Sequence, residues 1–254
     1  MIKWIFFDVG SVIFYDLPAM VMTYEKLYYE IRKKYTNLHF EDLLKERERI
    51  ILTNKSGNHH WIIGENYLGK DRWLQLRDEV IQELENNYLK YNYPIQGIDN
   101  VLETLSSEYN LGLGANQVLA CRKALEHYGL SKYFKVFGLS DEVGIYKPDI
   151  KFFEYLLKEA RCKGEEAIMV GDRIDFDIAP SKALGFKTIW IKMDFSDMNH
   201  SNDEFYKAFM ESYKRANLLS IQPKNENEKP DYMAHNLYEI IDGVRDIELR
   251  ELSI

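Results

Sequence analysis

Short apolar runs that end on a polar residue, alternating with amphipathic helical stretches, constrain this 254-residue chain more than any other feature. Residues 3–7 form the first run, rich in aromatics and closed by Asp8, Val9 and Gly10, with Gly10 credited with a sharp turn. From Ile95 onward the pattern repeats, and 111–115, 136–138, 167–170 and 187–191 read as strands. Helical patterns stand between them over 97–107, 118–127, 149–160 and 179–184, the third announced by Pro148. Residues 231–234 read as a short last strand and 237–244 as a closing helix. Repeated β-α units build a parallel sheet with helices on both faces and right-handed crossovers. The expected fold is therefore α/β, with a Rossmann-like parallel sheet at its core. Such sheets keep their ligands beyond the carboxyl ends of the strands.

The block from 17 to 94 breaks this alternation. MVMTYEKLYYEIRKKY, FEDLLKERERIIL and RWLQLRDEVIQELENNYL are helical in period, no strand stands among them, and 54–58 reads as a loop. An all-helical domain, 17–94, is thus inserted after the first strand of a core made of 1–16 and 95–254. Residues 193–230 are a polar, irregular excursion assigned to the core, with a helical stretch over Glu204–Ala216. Within the insertion, Tyr28, Tyr29, Trp61 and Trp73 read as core aromatics, and His59 and His60 as a surface or core contact. A hydrophobic fraction of 46% supports a substantial core, and a net charge of -8 without a long basic run argues against a nucleic-acid partner. The first apolar run is too short for a signal peptide or a membrane span, so a cytoplasmic protein is expected. Cys121 and Cys162 stand in no metal or redox spacing and read as reduced thiols. Oligomeric state is not legible in the sequence.

Polar groups collect at the strand ends. They are Asp8, Asn116 after Ala115, Lys147 before Pro148, and Asp172 in the segment GDRIDFD, which also carries Asp175 and Asp177. Singly, each has a plain structural explanation: an Asp after a strand caps a helix or forms a turn, and a Lys-Pro pair is a solvated turn. Their order and spacing together are far more specific. In this arrangement the chain resembles the haloacid dehalogenase-like hydrolase superfamily, over roughly 1–16, 95–193 and the tail from Asp231, with GDRIDFDIAPSKALGFKTIWIK the closest match. The helical block occupies the place of that superfamily's cap.

The resemblance implies a Mg²⁺-dependent hydrolase of small phosphorylated metabolites, with Asp8 attacking phosphorus to form an aspartyl-phosphate. Mg²⁺ would sit among the Asp8 carboxylate, the Gly10 carbonyl and Asp172, and Lys147 would neutralise the phosphoryl charge. Asp177, ahead of Asp175, would orient Lys147 or the metal loop, and Ser11, Ala115 and Asn116 would meet the substrate. Two departures stand out. Gly10 replaces the second Asp of most phosphatases in the family, a general acid–base group worth about 10²–10⁴-fold. Asp16, His59, His60 and Glu65 are the groups a closing cap would offer in its place. Ala115 replaces a Ser or Thr donor, at about 0.5–1.5 kcal/mol, with Asn116 and backbone N–H groups recovering part of that. Two alternatives stay open: a metal-independent 2-haloacid dehalogenase-like hydrolase, and a weakly active or non-catalytic binding protein of the same fold.

Overall fold

The computed structural model describes residues 1–53, 58–196, 198, 201–216 and 222–252, so the expected loop at 54–58 lies almost wholly outside the described residues. The first half of the chain forms β1 (Trp4–Phe7), β2 (Phe14–Tyr15), α1 (Leu17–Arg32), α2 (Phe40–Leu52), α3 (His59–Leu68), α4 (Lys70–Tyr91), β3 (Tyr93–Pro94), α5 (Ile98–Ser106), β4 (Asn110–Ala115) and α6 (Ala120–His127). The second half forms β5 (Phe134–Leu139), α7 (Ser140–Val143), α8 (Ile150–Ala160), β6 (Ala167–Gly171), α9 (Ala179–Lys182), β7 (Lys187–Ile191), α10 (Glu204–Ala216), β8 (Tyr232–Ala234) and α11 (Tyr238–Leu252).

Six strands make one parallel sheet in the order β5-β4-β1-β6-β7-β8, with helices on both faces. β1 is central, and all of its residues are buried. Phe6 stacks on Trp4 with ring centroids 5.7 Å apart and meets Phe186 edge-on at 6.0 Å. α8 covers this region with Phe152, Phe153, Leu156 and Ala160, which recur at helical spacing. Asp149 caps α8 by accepting the Lys151 N–H at 2.9 Å. Strand order reverses at β1, because the chain adds β4 on one side and later β6 on the other. That reversal point is where open α/β sheets bind ligands. Phe7 pairs with Leu113 and with Val170, so Asp8 leaves the sheet beside the ends of both neighbours.

By packing, the chain divides into two compact units, Met1–Tyr15 with Tyr93–Met193 and Pro223–Ile254, and Asp16–Asn92 with Asp194–Gln222. The sequence reading attaches the excursion after β7 to the α/β core, whereas Asp194–Gln222 groups with the helices. The reason lies in α10. Its apolar residues Tyr206, Phe209, Met210 and Tyr213 form one helical stripe, and a helix of this length is marginal unless such a stripe is covered. α1 and α2 cover it. Tyr24 and Phe209 rings lie 5.5 Å apart, and Phe40 meets Phe205 edge-on at 4.8 Å. The Arg47 guanidinium, buried on α2, lies 4.7 Å from the Phe209 ring centroid, and its Nη1 donates to Ser212 Oγ at 3.1 Å.

Several local features differ from the sequence reading. β2 and β3 form a two-residue antiparallel ribbon, too short for any period to show. β5 is longer than expected, and α11 continues to Leu252. Tyr28 and Trp73 are core residues of the helical unit, but Tyr29 is 50% exposed. Cys121 and Cys162 are both free thiols. Among the described residues no helix is long and apolar enough to cross a membrane.

Phe209→Ala removes the ring on which both Tyr24 and Arg47 rest, and should cost about 3–5 kcal/mol. Amide exchange should rise in α1, α2 and α10 while protection in β1, β4 and β6 is retained. A loss shared equally by the sheet would contradict the assignment of α10 to the helical unit.

Candidate active site

Asp8 is the first residue past β1, and its N–H donates to the Val170 carbonyl at 2.9 Å, so its backbone is still tied to β6. Its side chain is 14% exposed. Lys147 arrives from the loop between α7 and α8, with a side chain 3% exposed. Its Nζ donates to Asp8 Oδ1 at 2.8 Å and to Asp177 Oδ1 at 2.5 Å. Asp177 is fully buried, so one ammonium group joins the end of β1 to the turn after β6. Burial works against the charge on Lys147, but the Asp177 and Asp8 carboxylates outweigh it and hold the pKa above the ordinary lysine range. Burial pushes the Asp177 carboxyl up to about 6, against the pull of Lys147 and with Asp8 adding to the rise.

GDRIDFD folds into one wide turn. The Ile178 N–H donates to the Arg173 carbonyl at 3.2 Å, five residues back, which makes Ile174–Ile178 a single π-turn. The extra residue carries Asp177 back under the strand end, where its Oδ2 accepts the Arg173 N–H at 2.9 Å. Gly171 is required there, because a Cβ at that position would overlap the Asp177 carboxyl. Asp175 has another partner. Its two oxygens accept from Arg173 Nε and Nη2 at 2.8 and 2.7 Å, and the guanidinium lies 4.5 Å from the Phe176 ring centroid. Of the two candidate orienting acids, then, it is Asp177 that meets Lys147.

Asp8, Asp172 and Asp177 each bring a carboxylate oxygen within 4.8 Å of the others. An all-oxygen donor set suits a hard cation such as Mg²⁺. Because Asp177 is committed to Lys147 and to the Arg173 N–H, the chemistry fits a cation held chiefly by Asp8 and Asp172.

A family model described as haloacid dehalogenase-like hydrolase matches residues 5–191, and a second, related model matches 145–240. The chain belongs to the haloacid dehalogenase-like hydrolases. It is 25% identical, over 98% of its length and 99% of the relative's, to a glyceraldehyde 3-phosphate phosphatase of Methanocaldococcus jannaschii. It is also 32% identical to the pyrimidine 5'-nucleotidase YjjG of Escherichia coli, over 39% of this chain and 44% of that one. Among solved structures it resembles YfnB of Bacillus subtilis, a HAD-hydrolase bound to magnesium, with a TM-score of 0.59, 18% identity and coverage of 95% and 97%.

Within this hydrolase the remaining expected site residues are placed unequally. Ala115 ends β4 and is fully buried, with no side-chain donor to offer. Asn116 is expected to meet the substrate, yet its amide grips the Lys147 backbone on both sides. Its Nδ2 donates to the Lys147 carbonyl at 2.9 Å, and its Oδ1 accepts the Lys147 N–H at 2.8 Å. The Gln117 N–H in turn donates to Ser140 Oγ at 3.0 Å. The left-handed residue of the first turn is Ser11, with φ 56°, and Gly10 is not among the described glycines of positive φ. The N–H groups of Ile13 and Phe14 converge on the Val9 carbonyl at 2.9 Å each, and Ser11 N–H donates to the Phe14 carbonyl at 2.8 Å. This turn holds Ser11 at a backbone cost of about 1–2 kcal/mol.

The sequence reading overlooks Trp190. Its side chain, on β7, is nearly buried, and Nε1 donates to the Asp172 carbonyl at 2.9 Å. A buried indole seeks an acceptor, so a Trp one strand away from an acidic loop was the available signal. Glu65, one of the possible acid substitutes, accepts the Trp61 indole N–H at 2.8 Å inside the helical unit.

Lys147→Met leaves the buried Asp177 carboxylate, and Asp8 beside it, without their cation, a change that typically costs about 3–5 kcal/mol. Asp177 is already raised from 3.8, and the variant raises it further. A raised carboxyl contributes stability below its unfolded pKa and loses it as pH climbs through the folded value. The deficit against wild type should therefore widen as pH rises through about 6, read from urea midpoints in chelator.

Proposed function

We propose that the chain is a Mg²⁺-dependent phosphatase of small phosphorylated metabolites that works through an aspartyl-phosphate on Asp8. The observation that carries this reading is the buried Lys147 ammonium shared by Asp8 and Asp177 at 2.8 and 2.5 Å. It orients the Asp8 carboxylate and fixes positive charge where phosphoryl transfer develops negative charge. The Asp8 carboxylate attacks phosphorus, the leaving oxygen departs, and water later releases phosphate from Asp8. Asp177 holds Lys147 in place, and Asn116 positions it through the backbone.

Asp8, Asp172 and the Gly10 carbonyl would hold Mg²⁺, which when bound supplies Lewis-acid stabilisation of the phosphoryl oxygens. Trp190 fixes the Asp172 backbone for that task. The Ser11 side chain is assigned to the phosphoryl oxygens. The helical unit is assigned the role of a cap that selects the substrate. Support comes from relatives named for small phosphorylated substrates and from the magnesium of YfnB. The three gathered acids favour this reading over a metal-independent dehalogenase.

Assayed with Mg²⁺ on a panel of phosphorylated metabolites, the wild type should turn over at least one compound, and Asp8→Asn none. Equal rates for the two proteins would sink the proposal. Halide release from a 2-haloacid without phosphatase activity would transfer the assignment to a dehalogenase, and ligand binding without turnover to a binding protein.

Trp190→Phe keeps the ring and removes the N–H. Supporting partners of metal ligands are typically worth about 10–100-fold in affinity. Titration calorimetry should show Mg²⁺ binding weakened on that scale, with the far-UV circular dichroism spectrum preserved.

A further inference from the structure

We propose that this site is selective for phosphoryl donors whose leaving group departs as a stable anion, acyl phosphates and phosphoric anhydrides, over alkyl phosphate esters. The inference rests on the phosphatase reading above and narrows its substrate class.

It starts from which groups at the strand end are available to carry a proton. Asp8 is the nucleophile of the reading. Lys147 is buried and already donates to two carboxylates, at 2.8 and 2.5 Å, so it serves as a fixed charge. Both oxygens of Asp177 accept hydrogen bonds, one from Lys147 and one from the Arg173 N–H. Asp175 closes on Arg173 through both of its oxygens. Asp172 is placed beside Asp8 as a cation ligand. Position 10, two residues past the nucleophile on the same turn, is glycine and supplies no side chain. The α/β unit is thus equipped to neutralise a phosphoryl group and to attack it, while the leaving oxygen receives no proton from this set.

Chemistry then sorts the substrates. A carboxylic acid has a pKa of about 4, and a phosphate group loses its second proton at about 6, so both leave readily as anions near neutral pH. An alkoxide is far more basic, near the value of about 15.7 for water, and departs slowly without an acid. In the first step the Asp8 oxygen–phosphorus bond forms and the bond to the leaving oxygen breaks. The electron pair leaves with the carboxylate or phosphate, and no proton is needed. In the second step water attacks phosphorus, the Asp8 oxygen–phosphorus bond breaks, and the proton passes to solvent. The phosphoenzyme is itself an acyl phosphate, so its decay needs no acid either. This selectivity sets the chain apart from the Methanocaldococcus relative, which is named for an alkyl ester.

The test compares kcat/KM with Mg²⁺ for acetyl phosphate, pyrophosphate, p-nitrophenyl phosphate and glycerol phosphate, in wild type, Gly10→Asp and Gly10→Asn. The left-handed residue of the turn is Ser11, so a side chain at position 10 meets no left-handed penalty. Wild type should favour acetyl phosphate or pyrophosphate over glycerol phosphate by about 100-fold or more. Gly10→Asp should raise the ratio of glycerol phosphate to acetyl phosphate hydrolysis by about 100-fold. Gly10→Asn, equal in size but without a carboxyl, should leave the glycerol phosphate to acetyl phosphate ratio below that of Gly10→Asp by about 100-fold. Glycerol phosphate within about tenfold of acetyl phosphate in wild type would overturn the inference, whether or not the variants fold, and would assign the acid to another residue. Hydrolysis of none of the four above the Asp8→Asn level would overturn the phosphatase reading itself.

Discussion

The Lys147 ammonium, buried between Asp8 and Asp177, is the interaction on which the rest of the site depends. A buried charge persists only where its partners are fixed, and here they come from separate parts of the chain. β1 must end at Asp8, the loop after α7 must lead inward, and the π-turn must return Asp177 under β6. Each condition has its own support. The Asn116 amide fixes the Lys147 backbone, the Arg173 N–H fixes Asp177, and Gly171 leaves room for that carboxyl. The charges are set before any ligand arrives, which is the arrangement electrostatic catalysis requires.

The sheet explains why these segments meet at all. Parallel pairing of β1 with both β4 and β6 brings three strand ends into register. The strand order reverses at β1, the point at which open α/β sheets bind their ligands. The burial of Ile5, Phe6 and Phe7 makes that register hard to slip, since a one-residue shift would move every side chain to the other face. The aromatic core therefore acts on the site indirectly, by holding Asp8 at one height in the sheet.

Much of this was legible in the sequence because it is periodic or punctuated. The buried strands 4–7 and 167–171, the α8 start after Pro148 and the α10 stretch at Glu204–Ala216 all follow from local pattern. What was not legible depends on contacts distant in sequence. Nothing local says that the stripe of Tyr206, Phe209 and Met210 is covered by α1 and α2, so the excursion after β7 was attached to the wrong unit. Asn116 looked like a substrate contact, because its clamp on Lys147 spans 31 positions. Trp190 looked like an ordinary strand aromatic, because its acceptor is a backbone carbonyl. The turn after β1 was credited to Gly10, although hydrogen bonding to Val9 and Phe14 places the left-handed residue at Ser11.

That last shift separates two functions that a motif alone would merge. The chain at position 10 offers a carbonyl whatever its side chain, so in the proposed function cation binding and nucleophilic attack do not depend on the residue there, whereas proton delivery does. The turn is held by its own hydrogen bonds, with Ser11 as its left-handed residue, and the Asp8 carboxylate is held by Lys147. In the proposed function, the groups that attack phosphorus and a group that would protonate what leaves are therefore structurally separable.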